Sequence, residues 1–129
     1  MISYLKGTKV EITKTTQNRL FLILDVNNIG YEMQISTRFA QKLDGSADEP
    51  IQVFTHLQIQ EDKHILYGFP TAAERDLFRQ LTAVSGIGMQ LGIALIDTLG
   101  ISDLVGAIVT SNIPALTKTP GVGKKTAER

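Results

Sequence analysis

Ser85-Gly86-Ile87-Gly88 and Pro120-Gly121-Val122-Gly123 carry the same glycine–apolar–glycine core, each behind an apolar run of helical spacing. The second copy lies 35 positions after the first, counted from Gly86 to Gly121. A leucine precedes each copy at the same distance, Leu81 and Leu116, and a small residue follows each at the same distance, Gly92 and Ala127. Self-similarity at such a spacing marks one supersecondary unit used twice.

What this unit can do follows from its glycines. Between two helices, Gly-X-Gly lets the chain turn with positive φ, and the missing Cβ lets another backbone come close. The helix that starts at the turn presents N–H groups without intrahelical acceptors and the positive end of its dipole, so a phosphate can settle there. The apolar residue between the glycines, Ile87 or Val122, is expected to point back and preform the loop. This is the helix-hairpin-helix reading, a sequence-independent grip on a DNA backbone. A single copy reads more readily as a helix ending in a glycine cap; two copies in matching context reverse the balance in favour of DNA. Neither copy is a nucleotide-binding loop, because the flanking Lys-Ser/Thr or third glycine is missing. The candidate DNA-binding residues are Ser85, Gly86, Ile87 and Gly88 in the first copy, and Gly121, Val122 and Gly123 with Lys124, Lys125 and Arg129 in the second. Lysines in the first turn of a helix oppose its dipole, so Lys124 and Lys125 are not there for helix stability.

The chain has 129 residues, is 43% hydrophobic, and is formally neutral with 13 basic and 13 acidic side chains. Neutrality at first argues against nucleic acid. From residue 104 onward, however, Lys118, Lys124, Lys125 and Arg129 face only Glu128, so positive charge gathers at the second hairpin. There is no cysteine, which excludes disulfides and Cys-ligated zinc and suits a reducing cytosol. No apolar run is expected to approach a membrane span, and Met1-Ile2-Ser3-Tyr4 does not open a signal peptide. The expected location is cytoplasmic. His56 and His64 sit in no recognisable triad or metal set, and no catalytic motif, metal or cofactor is expected.

The first half reads as strands and the second as helices. Phe21-Leu22-Ile23-Leu24-Asp25-Val26 and Tyr31-Glu32-Met33-Gln34-Ile35 flank a turn-rich connection, and Ile51–Gln60 and Ile65-Leu66-Tyr67-Gly68-Phe69 flank the tight turn at Glu61-Asp62-Lys63. With a strand ahead of them and a short helix over Thr37–Leu43, they match a five-stranded Greek-key barrel of the OB type. Tyr67 and Phe69 are expected to pack rather than to stack on bases. After Pro70, Thr71 and Glu74 form a capping box, with Leu77, Phe78 and Leu81 on one face of the helix they start. Further helices are expected over residues 89 to about 99, ending at Gly100; from about 102 with Leu104, Val105 and Ile108 as its buried stripe; and over about 114–118. The fold class is α+β: a barrel domain, residues 1–69, then an all-α domain with two helix-hairpin-helix motifs, residues 70–129, incomplete at its C-terminus.

This arrangement resembles the RuvA family of bacterial Holliday-junction branch-migration proteins over essentially the whole chain. The resemblance is carried by Val53-Phe54-Thr55-His56, Glu61-Asp62, Leu66-Tyr67-Gly68-Phe69, Glu74-Arg75 with Leu77-Phe78, Ser85-Gly86-Ile87-Gly88, and above all Pro120-Gly121-Val122-Gly123-Lys124-Lys125-Thr126-Ala127-Glu128-Arg129. It implies a non-enzymatic subunit that binds four-way junction DNA in recombination and repair. It also implies a homotetramer, two of which can form an octamer, and a third domain, beyond Arg129, that recruits the hexameric ATPase RuvB. The resolvase RuvC can act on the same junction. Glu61 and Asp62 correspond to the family's acidic pin, which repels phosphates at the crossover. Two departures stand out: Met89-Gln90 where relatives commonly carry Pro-Lys, and Gln60 where an arginine is frequent. The rival readings are a helix-hairpin-helix repair enzyme, glycosylase or nuclease, and an OB-type single-strand DNA binder. The first lacks its catalytic Asp and Lys after the hairpins; the second leaves the duplicated hairpins unexplained.

Overall fold

In the computed structural model, residues 1–44, 49–119, 123 and 127 are described. The chain divides into two units, Met1–Arg75 and Asp76–Arg129. The first is a closed barrel of five strands, β1 (Tyr4–Lys14), β2 (Leu20–Val26), β3 (Ile29–Ile35), β4 (Ile51–Gln60) and β5 (Lys63–Phe69), with helix α1 (Thr37–Leu43) between β3 and β4. Neighbours around the barrel run β1-β2-β3-β5-β4. All pairs are antiparallel except β3 with β5, which meet in parallel at Met33–Leu66 and Gln34–Tyr67. The expected α+β class, an OB-type five-stranded barrel followed by helices, is the one observed.

Strand β1 closes the barrel by serving two partners. Tyr4 to Gly7 pair with Phe54 to Ile51 of β4, and Thr8 to Lys14 pair with Asp25 to Leu20 of β2. A bulge between Lys9 and Glu11 re-aims the strand, leaving Val10 exposed. The interior holds Leu22, Leu24, Met33, Ile35 and Val53, with Phe39 and Leu43 of α1 packed into the same core. Alternation in β2, β3 and β4 produces this interior, since residues two apart share a face. Helix α1 is held at both ends. The Ser36 Oγ accepts from the Phe39 N–H at 3.1 Å, and the Lys9 ammonium donates to the Leu43 carbonyl at 3.0 Å.

Helix α2 (Ala72–Thr82) starts where expected, the Thr71 hydroxyl accepting from the Glu74 N–H at 3.2 Å. Its Leu77, Phe78 and Leu81 are buried together with Ile93, Leu95 and Ile96 of α3 (Met89–Val109) and Leu116 of α4 (Ile113–Thr117). Two expectations need correction here. By length and composition Met89–Val109 is apolar enough to cross a membrane, contrary to the expectation that no run approaches that length. Gly100, at φ 76 and ψ 163, nevertheless breaks the helix into pieces spanning 89–99 and 101–109, each shorter than the roughly 20 residues a span needs. Only glycine adopts that backbone readily. The second piece also buries a different stripe: Leu104 and Ala107 face inward, whereas Val105 and Ile108 are 42% and 45% exposed.

Candidate nucleic-acid interface

The first hairpin joins α2 to α3. Gly86 takes φ 90, which a Cβ would disfavour, so glycine at this position is a backbone requirement. The Ile87 N–H donates to the Val84 carbonyl at 3.1 Å, and the Ile87 side chain is half-buried, tying the loop to the hairpin. Gly88 caps α3 without any side-chain bond, and the first helical bond runs from the Gly92 N–H to the Gly88 carbonyl at 3.0 Å. Ser85, Gly86 and Gly88 are exposed. A Cβ on Gly92 would lie 3.1 Å from the Phe78 ring and from the Thr82 methyl, so α3 comes close to α2 at Gly92.

The second hairpin repeats this pattern at several described positions. Ala127 N–H donates to the Gly123 carbonyl at 2.9 Å, the counterpart of Gly92 to Gly88. Thr119 N–H donates to the Leu116 carbonyl at 3.3 Å, the counterpart of Val84 to Leu81 at 3.1 Å. Leu81 and Leu116 are both buried. Gly88 and Gly123 are both exposed, and a Cβ on either would meet no atom within 4 Å. The other expected residues of this copy, Gly121, Val122, Lys124, Lys125 and Arg129, lie outside the described residues.

Open space at Gly88 separates fold from binding. Gly88→Ala is expected to cost less than about 1 kcal/mol of stability, the scale of a changed N-cap. If a phosphate approaches the N-terminus of α3, the added methyl occupies its path and affinity for DNA falls. Thermal melts and a gel shift on the same sample measure the two effects, and unchanged affinity would exclude Gly88 from the contact.

Glu61 and Asp62 form the two-residue loop between β4 and β5, closed by the pair Gln60–Lys63, and both are exposed. β4 pairs with β1 only through Ile51 to Phe54, and β5 meets β3 only at Leu66 and Tyr67. Among the described residues, the two strands from Gln58 and Ile65 outward therefore pair only with each other, as a ribbon with the carboxylates at its tip. The hairpin and the ribbon belong to different units. Tyr67 and Phe69 are buried, at 2% exposure each, and offer no stacking surface.

Residues 1–68 match the family described as RuvA N terminal domain. The chain belongs to the RuvA family. Residues 78–129 also match the SAM-like helix-hairpin-helix tandem, which covers both glycine turns. RuvA-family relatives align over the whole chain: a protein of Rippkaea orientalis is 65% identical, one of Gloeothece citriformis 60% and one of Crocosphaera subtropica 58%, each over 129 residues. All three are called Holliday junction branch migration complex subunit RuvA. The chain spans 61–62% of the length of these RuvA proteins.

Proposed function

We propose that this chain binds four-way DNA junctions without regard to sequence, as the non-catalytic subunit of an ATP-driven branch-migration complex in recombination and repair. The observation that carries the reading is the pair of Gly-X-Gly turns with matching hydrogen bonds 35 residues apart, in a chain whose barrel is of the RuvA type. Two equivalent helix starts per subunit grip two stretches of backbone phosphate. In this proposal Ser85, Gly86, Ile87 and Gly88 hold one stretch, and Gly121, Val122, Gly123, Lys124, Lys125 and Arg129 the other. Residues 70–129 act as the DNA-gripping domain and residues 1–69 carry the acidic ribbon. A homotetramer, alone or paired as an octamer, presents four such sets to four arms, with RuvB supplying ATP-driven movement and RuvC resolving the junction. The cytoplasm is the proposed location.

Turn geometry supports a charge role for Glu61 and Asp62. The β2–β3 loop uses Asn27 and Asn28 at φ 51 and 70, where asparagine is chosen for its tolerance of that backbone. Glu61 and Asp62 are not among the residues with positive φ, so their backbone does not explain their identity. Carboxylates at a strand crossover repel phosphates at close range. Glu61→Gln with Asp62→Asn is accordingly expected to tighten junction binding by about fivefold, the scale of one close charge pair in water, while changing the rate of ATP-driven branch migration. Weaker binding in a titration, or unchanged migration, would reject the pin.

A gel shift at fixed salt comparing four-way junction, linear duplex and single strand tests the main reading. Preference for the junction is the expected result; preference for duplex or single strand would overturn it.

A further inference from the structure

We infer that Ile59 is a base-contacting wedge at the end of the β4–β5 ribbon, an inference that rests on the junction-binding reading. The pairing places Ile59 opposite His64, on the strand face that carries Val53, Thr55, Leu57 and Leu66. Along this face burial decays outward: Val53 and Thr55 are fully buried, Leu57 and Leu66 half-buried, and Ile59 is 55% exposed. The apolar pattern of the barrel interior thus continues past the point where the barrel can cover it. A β-branched shape suits a strand, but burial does not call for an apolar side chain there, since a two-stranded ribbon gains little from one exposed residue.

The neighbours of Ile59 select what it touches. Glu61 and Asp62, two and three positions further along the ribbon, outnumber the exposed Lys63 beside them and leave the tip net negative, unfavourable for phosphate. The uncharged part of DNA, the bases, is what an apolar group beside two carboxylates can approach. A two-stranded ribbon is slim enough to enter a DNA groove, and apolar side chains inserted between base steps unstack them. At a crossover the base pairs flanking the exchange point are the ones such a wedge meets. Ile59 would then hold bases apart while the carboxylates keep the backbones away, a division of labour between adjacent residues.

The test uses the 129-residue chain and four-way junctions carrying 2-aminopurine either beside the crossover or in the middle of an arm. The wild-type chain is expected to raise emission from the crossover probe and not from the arm probe. Ile59→Thr, which keeps the β-branched shape, is expected to bring the crossover signal down to the arm level when measured at protein concentrations that saturate the junction. Ile59→Leu is expected to keep it. An undiminished crossover signal from Ile59→Thr would overturn the inference. So would a loss of oligomeric mass in light scattering of that variant, which would show that another copy of the chain covers Ile59. A wild-type chain that binds the junction but leaves both probes dark would overturn the wedge alone, whereas one that shows no preference for the junction would overturn the parent reading and the wedge with it.

Discussion

Gly7→Ala is expected to destabilise the barrel by about 3 kcal/mol, lowering its thermal midpoint by roughly 10–20 °C. The change adds one methyl group, and its effect comes from where that methyl would sit. A Cβ on Gly7 would lie 2.1 Å from the Asp25 carbonyl oxygen and 2.8 Å from its carbon. Both are backbone atoms of a neighbouring strand, so no side-chain rotation relieves the clash. Gly7 is also the position where β1 leaves Ile51 of β4, with Thr8 already paired to Asp25 of β2. Moving the strands apart there loosens two sheet edges at once. Gly30→Ala is the control, because its Cβ would make only an ordinary 3.5 Å contact with the Ile23 methyl; it is expected to stay within about 1 kcal/mol of the parent. Circular-dichroism melts of the two variants decide the matter, and equal midpoints would refute the close-approach argument.

Replacing Lys124 and Lys125 together with alanine is expected to be the most damaging change for DNA binding. Each lysine that neutralises a phosphate contributes about 0.9 to the dependence of log K on log salt, which near 0.1 M salt corresponds to roughly tenfold in affinity. The double variant should therefore lose about two orders of magnitude per engaged subunit and flatten the salt slope by about 1.8. These lysines directly follow Gly123, whose carbonyl accepts the helical bond from Ala127. The first hairpin has Met89 and Gln90 in the equivalent places, so its hold on phosphate depends on backbone N–H groups and is less sensitive to salt. Titrations of the parent and double variant at several salt concentrations measure the slope. An unchanged slope would place both lysines away from phosphate.

The duplicated turns were legible in the sequence because their requirement is imposed on the backbone. Gly86 must reach φ 90, which only glycine does without cost, whereas Gly88 has extended backbone and open space around it, so its glycine is marked by the repeat and not by the backbone. Strands β3 and β4 were legible from alternation, β2 from its apolar run and β5 from the turn before it, whereas β1 was expected but not placed. It interleaves Lys6, Thr8, Lys9, Glu11 and Thr13 with few apolar residues, and the bulge at Val10 shifts its phase midway. The buried stripe after Gly100 was misread for a different reason. Ile101, Leu104, Val105, Ala107, Ile108 and Val109 spread over more than half of the helix circumference, so periodicity leaves more than one stripe open and packing selects Leu104 and Ala107. Glu61 and Asp62 were recognisable only through resemblance, since a turn tolerates acidic residues anywhere. The outward reach of the ribbon that bears them is a property of strand register, and register appears only when the strands are paired.

The parallel meeting of β3 and β5, confined to Met33–Leu66 and Gln34–Tyr67, sets an order of events in time. β1, β2 and β3 are joined by short loops and zip along their length, as do β4 and β5. Sealing the cylinder requires the longer excursion through α1 to be restrained first, and that ordering cost must be met before the seam returns anything. A short joint assembled last is also the one that opens at least cost, so amide protons along it should exchange ahead of those in the β2–β3 ladder. The barrel thus behaves as a clasp, with two durable halves joined along β1–β4 and at the shorter β3–β5 seam.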